Sequence, residues 1–480
     1  MKARKTNNLL TWCILAILIY VIIITIFYFA AGEQLYYRNT KNPIESVIGD
    51  IATDEITPEF TVKESFLCKM NRVKSFSVQF ATFARINNGY VILRLNDETN
   101  KNILKEEQLD ISNLEDGALT TVVLDKPISG VFGHILSVEI LSNDGSKGNA
   151  VGPLYSSQIN RSGMQLHFND KPVLGTLCLS VNGDDNVWTG PHYWKIMAII
   201  GILISAYCLL LMWKEKTNRK SLALNIVFIS KKYRFLTKQL VSRDFKIKYK
   251  RSLLGALWSF VNPLLTMTVQ YFVFSTIFKS DIKYYPVYLL SGVVLFGFFQ
   301  EATGASIWAI VGNSSLITKV YVPKYIYPVS KVLSSSMNLI ISLLPLLIMC
   351  IVIKVDLTKA WIILPFILIC LILFCIGIGF ILSAAMVFFR DVQFIWSVIS
   401  MVWMYVTPIF YPESILPENV SWVLNYNPMY YFISFFRTII IDGISPEPIA
   451  YVKCLAFSLL FLLIGILIFR KSQDKFIFYI

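Results

Sequence analysis

Two periodicities divide the chain. Residues 9–31 and 196–213 are apolar almost without interruption, over about the twenty residues a helix needs to cross a bilayer. Between them the pattern alternates. Phe76, Val78 and Phe80 are interleaved with Ser75, Ser77 and Gln79, and the same alternation recurs at Val91, Leu93 and Leu95, at Leu136, Val138 and Ile140, and at Leu177, Leu179 and Val181. Turn signals such as Asn87-Asn88-Gly89, Asn143-Asp144-Gly145 and Asn182-Gly183-Asp184 separate these runs. Short strands with one apolar face predict an antiparallel β-sandwich over residues 32–193.

Beyond this segment the period becomes helical. Tyr233, Leu236, Leu240, Ile247 and Leu254 form one stripe, surrounded by Lys238, Arg243, Lys246, Lys248, Lys250 and Arg251. That predicts an amphipathic helix in the headgroup layer. Six further apolar stretches follow, at 257–278, 285–299, 333–353, 361–388, 394–410 and 451–469. The expected fold class is a mostly α, polytopic membrane protein of about eight transmembrane helices plus re-entrant helices, with an extracytoplasmic all-β sandwich. In order, the expected segments are 1–31, a cytoplasmic tip and first transmembrane helix; 32–193, the β-sandwich; 194–213, a second transmembrane helix; 214–255, the basic interface helix; and 256–480, a membrane core of six transmembrane helices.

Composition agrees with that class, since 55% of 480 residues are hydrophobic and only 16% charged. The net charge of +13 invites a nucleic-acid reading, but its location argues otherwise. Residues 32–193 carry 14 Lys+Arg against 20 Asp+Glu, whereas residues 214–251 alone carry 13 basic residues against two acids. This is the positive-inside bias of a multi-pass protein of the cell membrane, with both termini and the loops at 319–331, 390 and 470–475 cytoplasmic. Nucleic acid is not an expected partner; membrane lipid is.

The eight cysteines form no paired CxxC array and the three histidines no H-x-x-x-H spacing, so no metal ligands and no catalytic residues are assigned. Cys68 shares the phase of Phe66 and Met70, while Cys178 is out of phase with Leu177 and Leu179, which favours two free thiols.

Three polar stretches interrupt the apolar half. Residues 243–263 read RDFKIKYKRSLLGALWSFVNP; residues 313–331 read NSSLITKVYVPKYIYPVSK, an amphipathic loop marked by Pro323 and Pro328; and residues 388–446 contain FFRDV, TPIFYP and NPMYYFISFFR. In the last, Arg390 and Asp391 are placed to offset each other or cap a helix end. The apolar run breaks at Thr407-Pro408, and the segment after Asn427-Pro428, residues 429–441, is too short to cross unaided. A re-entrant pair of short helices fits, because irregular backbone at membrane depth needs partners in protein or water.

Together these stretches resemble the permeases of type-2 ABC exporters that move lipid-linked O-antigen, capsule or teichoic acid polymers, over residues 233–480. Residues 32–193 look like the jelly-roll, carbohydrate-binding-like modules found beside bacterial envelope enzymes, with Tyr90, Tyr155 and Trp188 as candidate sugar platforms. The resemblance implies a homodimeric permease worked by two copies of a separate ATPase subunit, which binds the ATP and Mg, while this chain binds no cofactor. The absence of G-x-x-x-x-G-K-[ST] agrees. Arg243, Asp244, Asn313, Ile317, Lys319, Lys324 and Tyr325 would then couple to the ATPase. Trp396, Trp403, Tyr405, Thr407, Pro408, Phe410 and Tyr411 would form the glycan path or gate, since rings stack on sugar faces yet allow sliding; an interfacial aromatic belt competes for these residues. Arg390, Asp391, Asn427 and Pro428 would be structural. The rival readings are a membrane glycosyltransferase or acyltransferase, for which the second half offers no D-x-D pair, an ABC-2 exporter of a small lipid or drug, and a sensor, which leaves the six later spans unexplained.

Overall fold

The computed structural model describes residues 2–40, 43–157, 161, 163–217, 222–250, 252–278, 284–319, 322–413 and 418–479. The chain forms two compact units, Glu33–Tyr193 and the remainder, Met1–Gly32 with Trp194–Ile480.

The first unit is built from strands β1 (Tyr37–Asn39), β2 (Ile51–Ala52), β3 (Val62–Leu67), β4 (Arg72–Ala81), β5 (Tyr90–Asp97), β6 (Asn102–Asp110) and β7 (Leu119–Ser129). They are followed by β8 (Ile135–Leu141), β9 (Gly152–Ser156), β10 (Met164–Phe168), β11 (Lys171–Val173), β12 (Thr176–Leu177) and β13 (Leu179–Asn186). One sheet runs β1-β13-β4-β9-β12, with β2 on β9 and β7 on β4; the other runs β11-β10-β3-β8-β5-β6. Every pairing is antiparallel. Phe76 lies opposite both Val181 and Val122, and Ile140 lies opposite both Leu93 and Val62. The alternating positions of the sequence are therefore the shared core of the two sheets, and Phe76, Val78, Phe80, Leu93, Leu95, Val138 and Val181 are fully buried in it. Each such side chain contributes about 1.5–3 kcal/mol by burial. Where the ladder shifts register at Asn182/Gly183, a Cβ on Gly183 would lie 2.1 Å from the Arg72 carbonyl oxygen, so only glycine fits.

A carboxylate enters this core. Glu64 points inward between Val62 and Phe66, is fully buried, and accepts the Leu177 N–H of the facing sheet at 2.8 Å. Its Oε1 has no partner among the described residues, and burial pushes the carboxyl up to about 8. Cys68 and Cys178 are both buried and unpaired.

The second unit is helical: α1 (Lys2–Ala31), α2 (Thr189–Lys216, from Trp194), α3 (Leu222–Tyr249), α4 (Trp258–Phe278), α5 (Tyr285–Ile307), α6 (Ser314–Lys319) and α7 (Ile326–Val352). Then come α8 (Leu364–Phe388), α9 (Val392–Val406), α10 (Glu418–Asn425), α11 (Pro428–Ile440), α12 (Pro448–Ser472) and α13 (Phe476–Tyr479). Among the described residues six helical stretches are long and apolar enough to span a membrane: Leu9–Leu35, Thr189–Lys216, Tyr285–Ile307, Ile326–Val352, Lys359–Phe388 and Pro448–Tyr479. This is an integral membrane protein. The other two expected spans correspond to α4, of 21 residues, and α9, of 15.

Small residues let α8 and α12 pack backbone against backbone. A Cβ on Gly465 would lie 2.2 Å from the Gly377 carbonyl oxygen, and one on Gly377 would meet the Phe461 backbone at 2.5 Å. Around this contact Phe374 gathers Phe299, Phe432, Phe461 and Trp403 within 6.3 Å, ring centre to ring centre. The α1–α2 pair is tied by the Tyr20 hydroxyl, which donates to the Met197 carbonyl at 2.6 Å, and Phe27 of α1 meets Tyr451 of α12 edge to face at 5.3 Å.

Two expectations need correction. The stretch 313–331 is not an extended loop: α6 occupies its first part and α7 begins at Ile326, because Pro328 falls in the first turn, where its missing N–H costs nothing. The apolar stripe of the basic helix is buried only in part, since Leu240 is buried and Tyr233 and Leu236 half-buried, whereas Ile247 is exposed and Leu254 lies beyond the end of α3. Arg251 lies outside the described residues.

Candidate functional site

The break after α9 is irregular backbone held by side-chain hydrogen bonds. Pro408 can donate no N–H, so α9 closes on the Thr407 N–H, which reaches Trp403 O at 3.1 Å, and the carbonyls that follow lose helical partners. Side chains from two other helices receive them. Arg437 of α11 donates through Nη1 to Pro408 O at 2.7 Å and through Nη2 to Ile409 O and Tyr288 O, both at 2.9 Å, while its Nε reaches Ser291 Oγ at 3.3 Å. The guanidinium lies 3.3 Å above the Tyr288 ring, and Arg437 is only 8% exposed. From α5, Tyr285 donates to Phe410 O at 2.9 Å, and Tyr288 donates to Pro408 O at 3.2 Å and Tyr411 O at 2.9 Å. A Cβ at Gly292 would lie 2.8 Å from Ile409 Cγ2 and 2.9 Å from Arg437 Nη2, so α5 can approach the break only with glycine there.

Asn427 closes the other side. Its Oδ1 accepts from Trp403 Nε1 at 2.8 Å and caps α11 by accepting the Met429 and Tyr430 N–H groups, while its Nδ2 donates to Thr407 Oγ1 at 2.9 Å. Pro428 opens α11, as suits a residue without an N–H.

The aromatic candidates separate into two groups. Trp396 and Trp403 face the interior of the helical unit, where Trp396 Nε1 donates to Thr303 Oγ1 at 3.2 Å and both rings pack on Phe299. Thr407 and Pro408 are buried, and Phe410 stacks on Phe274 with centroids 5.2 Å apart. Tyr405 is 59% exposed, and Tyr411 is half-buried with its hydroxyl on Tyr405 O at 2.7 Å. Arg390 and Asp391 neither pair with each other nor cap by side chain among the described residues; both are exposed, with Asp391 at the N-cap position of α9. Solvent on both groups is the physical reason, since an exposed adjacent pair gains little from closing.

At the opposite end of the bundle, Leu240 of α3 joins Ile310, Ile317, Ile326, Tyr327 and Phe476 in one buried cluster. Arg243 Nη2 lies 3.0 Å from Asp244 Oδ1 and donates to Asn313 Oδ1 at 3.1 Å, and Lys331 pairs with Asp244 Oδ2 at 3.0 Å. Four residues of α3, the turn before α6 and α7 are so bound together. Ile317 is buried, Tyr325 half-buried, and Lys319 exposed. Lys324 donates to Gln473 O at 2.6 Å, and burial holds its ammonium below the usual lysine range.

A cavity of about 560 Å³ runs between these two ends, touching Lys248 and Tyr249 of α3 on one side and Ile409 and Phe410 of the break on the other. A polar chain lines it. Lys248 pairs with Glu301 at 2.8 Å, Asn338 donates to Glu301 Oε1 at 2.6 Å, Tyr249 donates to Asn338 Oδ1 at 2.8 Å, and the Tyr249 and Ser259 hydroxyls are in contact. Sequence reasoning missed Arg437, Tyr285, Tyr288, Asn338 and the role of Glu301. The signal available was a polar or ionisable residue inside an apolar run, which at membrane depth marks function or a buried partner.

The fold and these sites define a membrane-transporter domain whose helical core carries a broken helix at one end and a bonded basic helix at the other. Residues 236–441 match the family "ABC-2 type transporter". The chain is 29% identical over 239 residues to the "O-antigen export system permease protein RfbA" of Klebsiella pneumoniae, covering 49% of this chain and 92% of that one. The protein of the same name from Myxococcus xanthus is 29% identical over 246 residues, 51% of this chain and 95% of its own. The "Polysialic acid transport protein KpsM" of Escherichia coli is 24% identical over 247 residues, 48% of this chain and 91% of its own.

Proposed function

We propose that this protein is the transmembrane subunit of an ABC exporter for a lipid-linked cell-surface polysaccharide. The observation that carries the reading is the similarity to O-antigen export permeases over more than nine-tenths of their length. In this reading residues 32–193 are extracytoplasmic, α3 and α6 face the cytoplasm, and the end holding the broken helix faces outward. Two separate ATPase subunits would bind ATP and Mg, press on the Arg243–Asp244–Asn313 node and the exposed Lys319, and shift α3 against the cavity wall. The polymer would leave past Tyr405 and Tyr411. The outward face of α9, with Phe394, Ile395, Val398, Val402 and Tyr405 all exposed, suits a second copy of the chain, in keeping with a homodimer.

Inactivating the gene tests this. Lipid-linked glycan should accumulate inside the cell while surface glycan falls, with both restored by the intact gene. Normal surface glycan in the null strain would refute the reading.

A further inference from the structure

Tyr249, the last residue of α3, borders two spaces at once. One is the cavity of about 560 Å³ described above; the other is an open cleft of about 650 Å³ along α3, where Arg243, Lys246 and Lys250 are lining residues. The Tyr249 hydroxyl donates to Asn338 Oδ1 of α7 at 2.8 Å and touches the Ser259 hydroxyl of α4. Its ring meets Phe245 edge to face at 5.2 Å. The side chain thus stands between cleft and cavity and is tied to two further helices.

Two attachments of α3 differ in kind. The Asp244 carboxylate is 8% exposed and pairs with both Arg243 and Lys331 at 3.0 Å, so taking a partner away strands a buried charge. One turn on, Lys248 and Glu301 pair at 2.8 Å with side chains 44% and 34% exposed. Water receives both groups when this pair opens, and Glu301 keeps the Asn338 Nδ2 donor at 2.6 Å, so little is lost. The helix is therefore pinned at Asp244 and able to release its last turn.

We propose that Tyr249 is a gate between the cleft and the cavity, that the Lys248–Glu301 pair is the latch holding it shut, and that α3 opens it by pivoting at Asp244. The proposal rests on the export reading, in which the cleft faces the cytoplasm and glycan enters the cavity past this ring.

Ser335 of α7 lines the cavity and is buried, so Ser335→Cys places a reporter thiol behind the gate. Its labelling is followed in inside-out membrane vesicles holding the whole permease, with one cationic and one anionic membrane-impermeant thiosulfonate. The rate without the reporter, when the eight native cysteines are all buried, is subtracted. Tyr249→Ala should speed labelling severalfold with both reagents. Lys248→Glu and Glu301→Lys should each do the same although Tyr249 is still in place, which a fixed wall would not allow, and the double variant should return the rate to its starting value. A changed local field alone would speed one reagent and slow the other. Ser342→Cys serves as reporter if Ser335→Cys fails to insert, and Glu301→Gln replaces the charge reversals if they fail. Unchanged rates in the Tyr249 or latch variants, opposite changes for the two reagents, or a double variant as fast as the single ones overturns the proposal. No glycan enters this measurement. Normal surface glycan in the null strain would thus remove the export reading and leave the gate, whereas unchanged labelling beside a null strain that accumulates glycan would remove the gate alone.

Discussion

Replacing Arg437 by lysine keeps the charge and removes the fork that reaches three carbonyls at once. Ile409 O then loses its donor while still buried, at a cost of about 1–3 kcal/mol for an unsatisfied group, and Pro408 O keeps only the Tyr288 hydroxyl. Arg437→Lys should therefore lower the melting temperature and membrane abundance clearly more than the exposed Arg390→Lys. Equal melting curves for the two variants would show that the break does not need this side chain. Sequence could mark Arg437 as an ionisable residue in an apolar run but not name its partners, because these lie 29 and 149 positions away and local patterning reports only near neighbours. Glu64 was hidden for the opposite reason: its strand alternates correctly, and the acid simply occupies an inward position. Its raised pKa means that the folded state binds a proton more tightly than the unfolded chain, so stability is full below about pH 4.5, falls as pH rises towards about 8, and is level above that. Hydrogen-exchange protection of β3, corrected for intrinsic rates, should drop from pH 6 to pH 8.5 in the intact protein. Glu64→Gln should flatten the profile; an unchanged slope in the variant would mean that another group titrates.

At the scale of elements, period-two alternation made β4, β5 and β8 legible, because the apolar residues Phe76, Val78 and Phe80, Val91, Leu93 and Leu95, and Leu136, Val138 and Ile140 are all buried. The helical half was legible as apolar runs, but its boundaries were less so. Prolines in 313–331 read as loop signals, yet a proline in a first turn is compatible with helix, and α7 absorbs Pro328. Likewise the apolar run 394–410 outlasts α9, which stops at Val406 because Pro408 ends the hydrogen bonding. The structure also sorts the two lysines of the stretch proposed to couple to an ATPase. Lys324 is engaged with Gln473 O, so its reversal should disturb the packing of the C-terminal turn, whereas Lys319 projects into solvent. Lys319→Glu should leave the melting temperature unchanged and lower the permease-stimulated turnover of the ATPase severalfold. Full stimulation by this variant would remove Lys319 from the coupling surface.

For the whole molecule, the relatives cover about half of the chain, and the β unit lies outside the residues 236–441 that match the ABC-2 family. Charge alone marks that division along the chain, because acids dominate residues 32–193 and bases dominate 214–251. What the sequence concealed is how the two ends of the helical unit communicate, since the cavity joining Lys248 and Tyr249 to Ile409 and Phe410 is assembled from side chains far apart in the chain. The central claim is that ATP turnover by a partner subunit drives glycan through this domain. It is tested most directly in inside-out proteoliposomes holding the permease, its co-purifying ATPase and labelled lipid-linked glycan. The account predicts that the glycan becomes shielded in the vesicle lumen only with hydrolysable ATP and only with the permease present. Shielding at the same rate without ATP, or none with all components active, would contradict it.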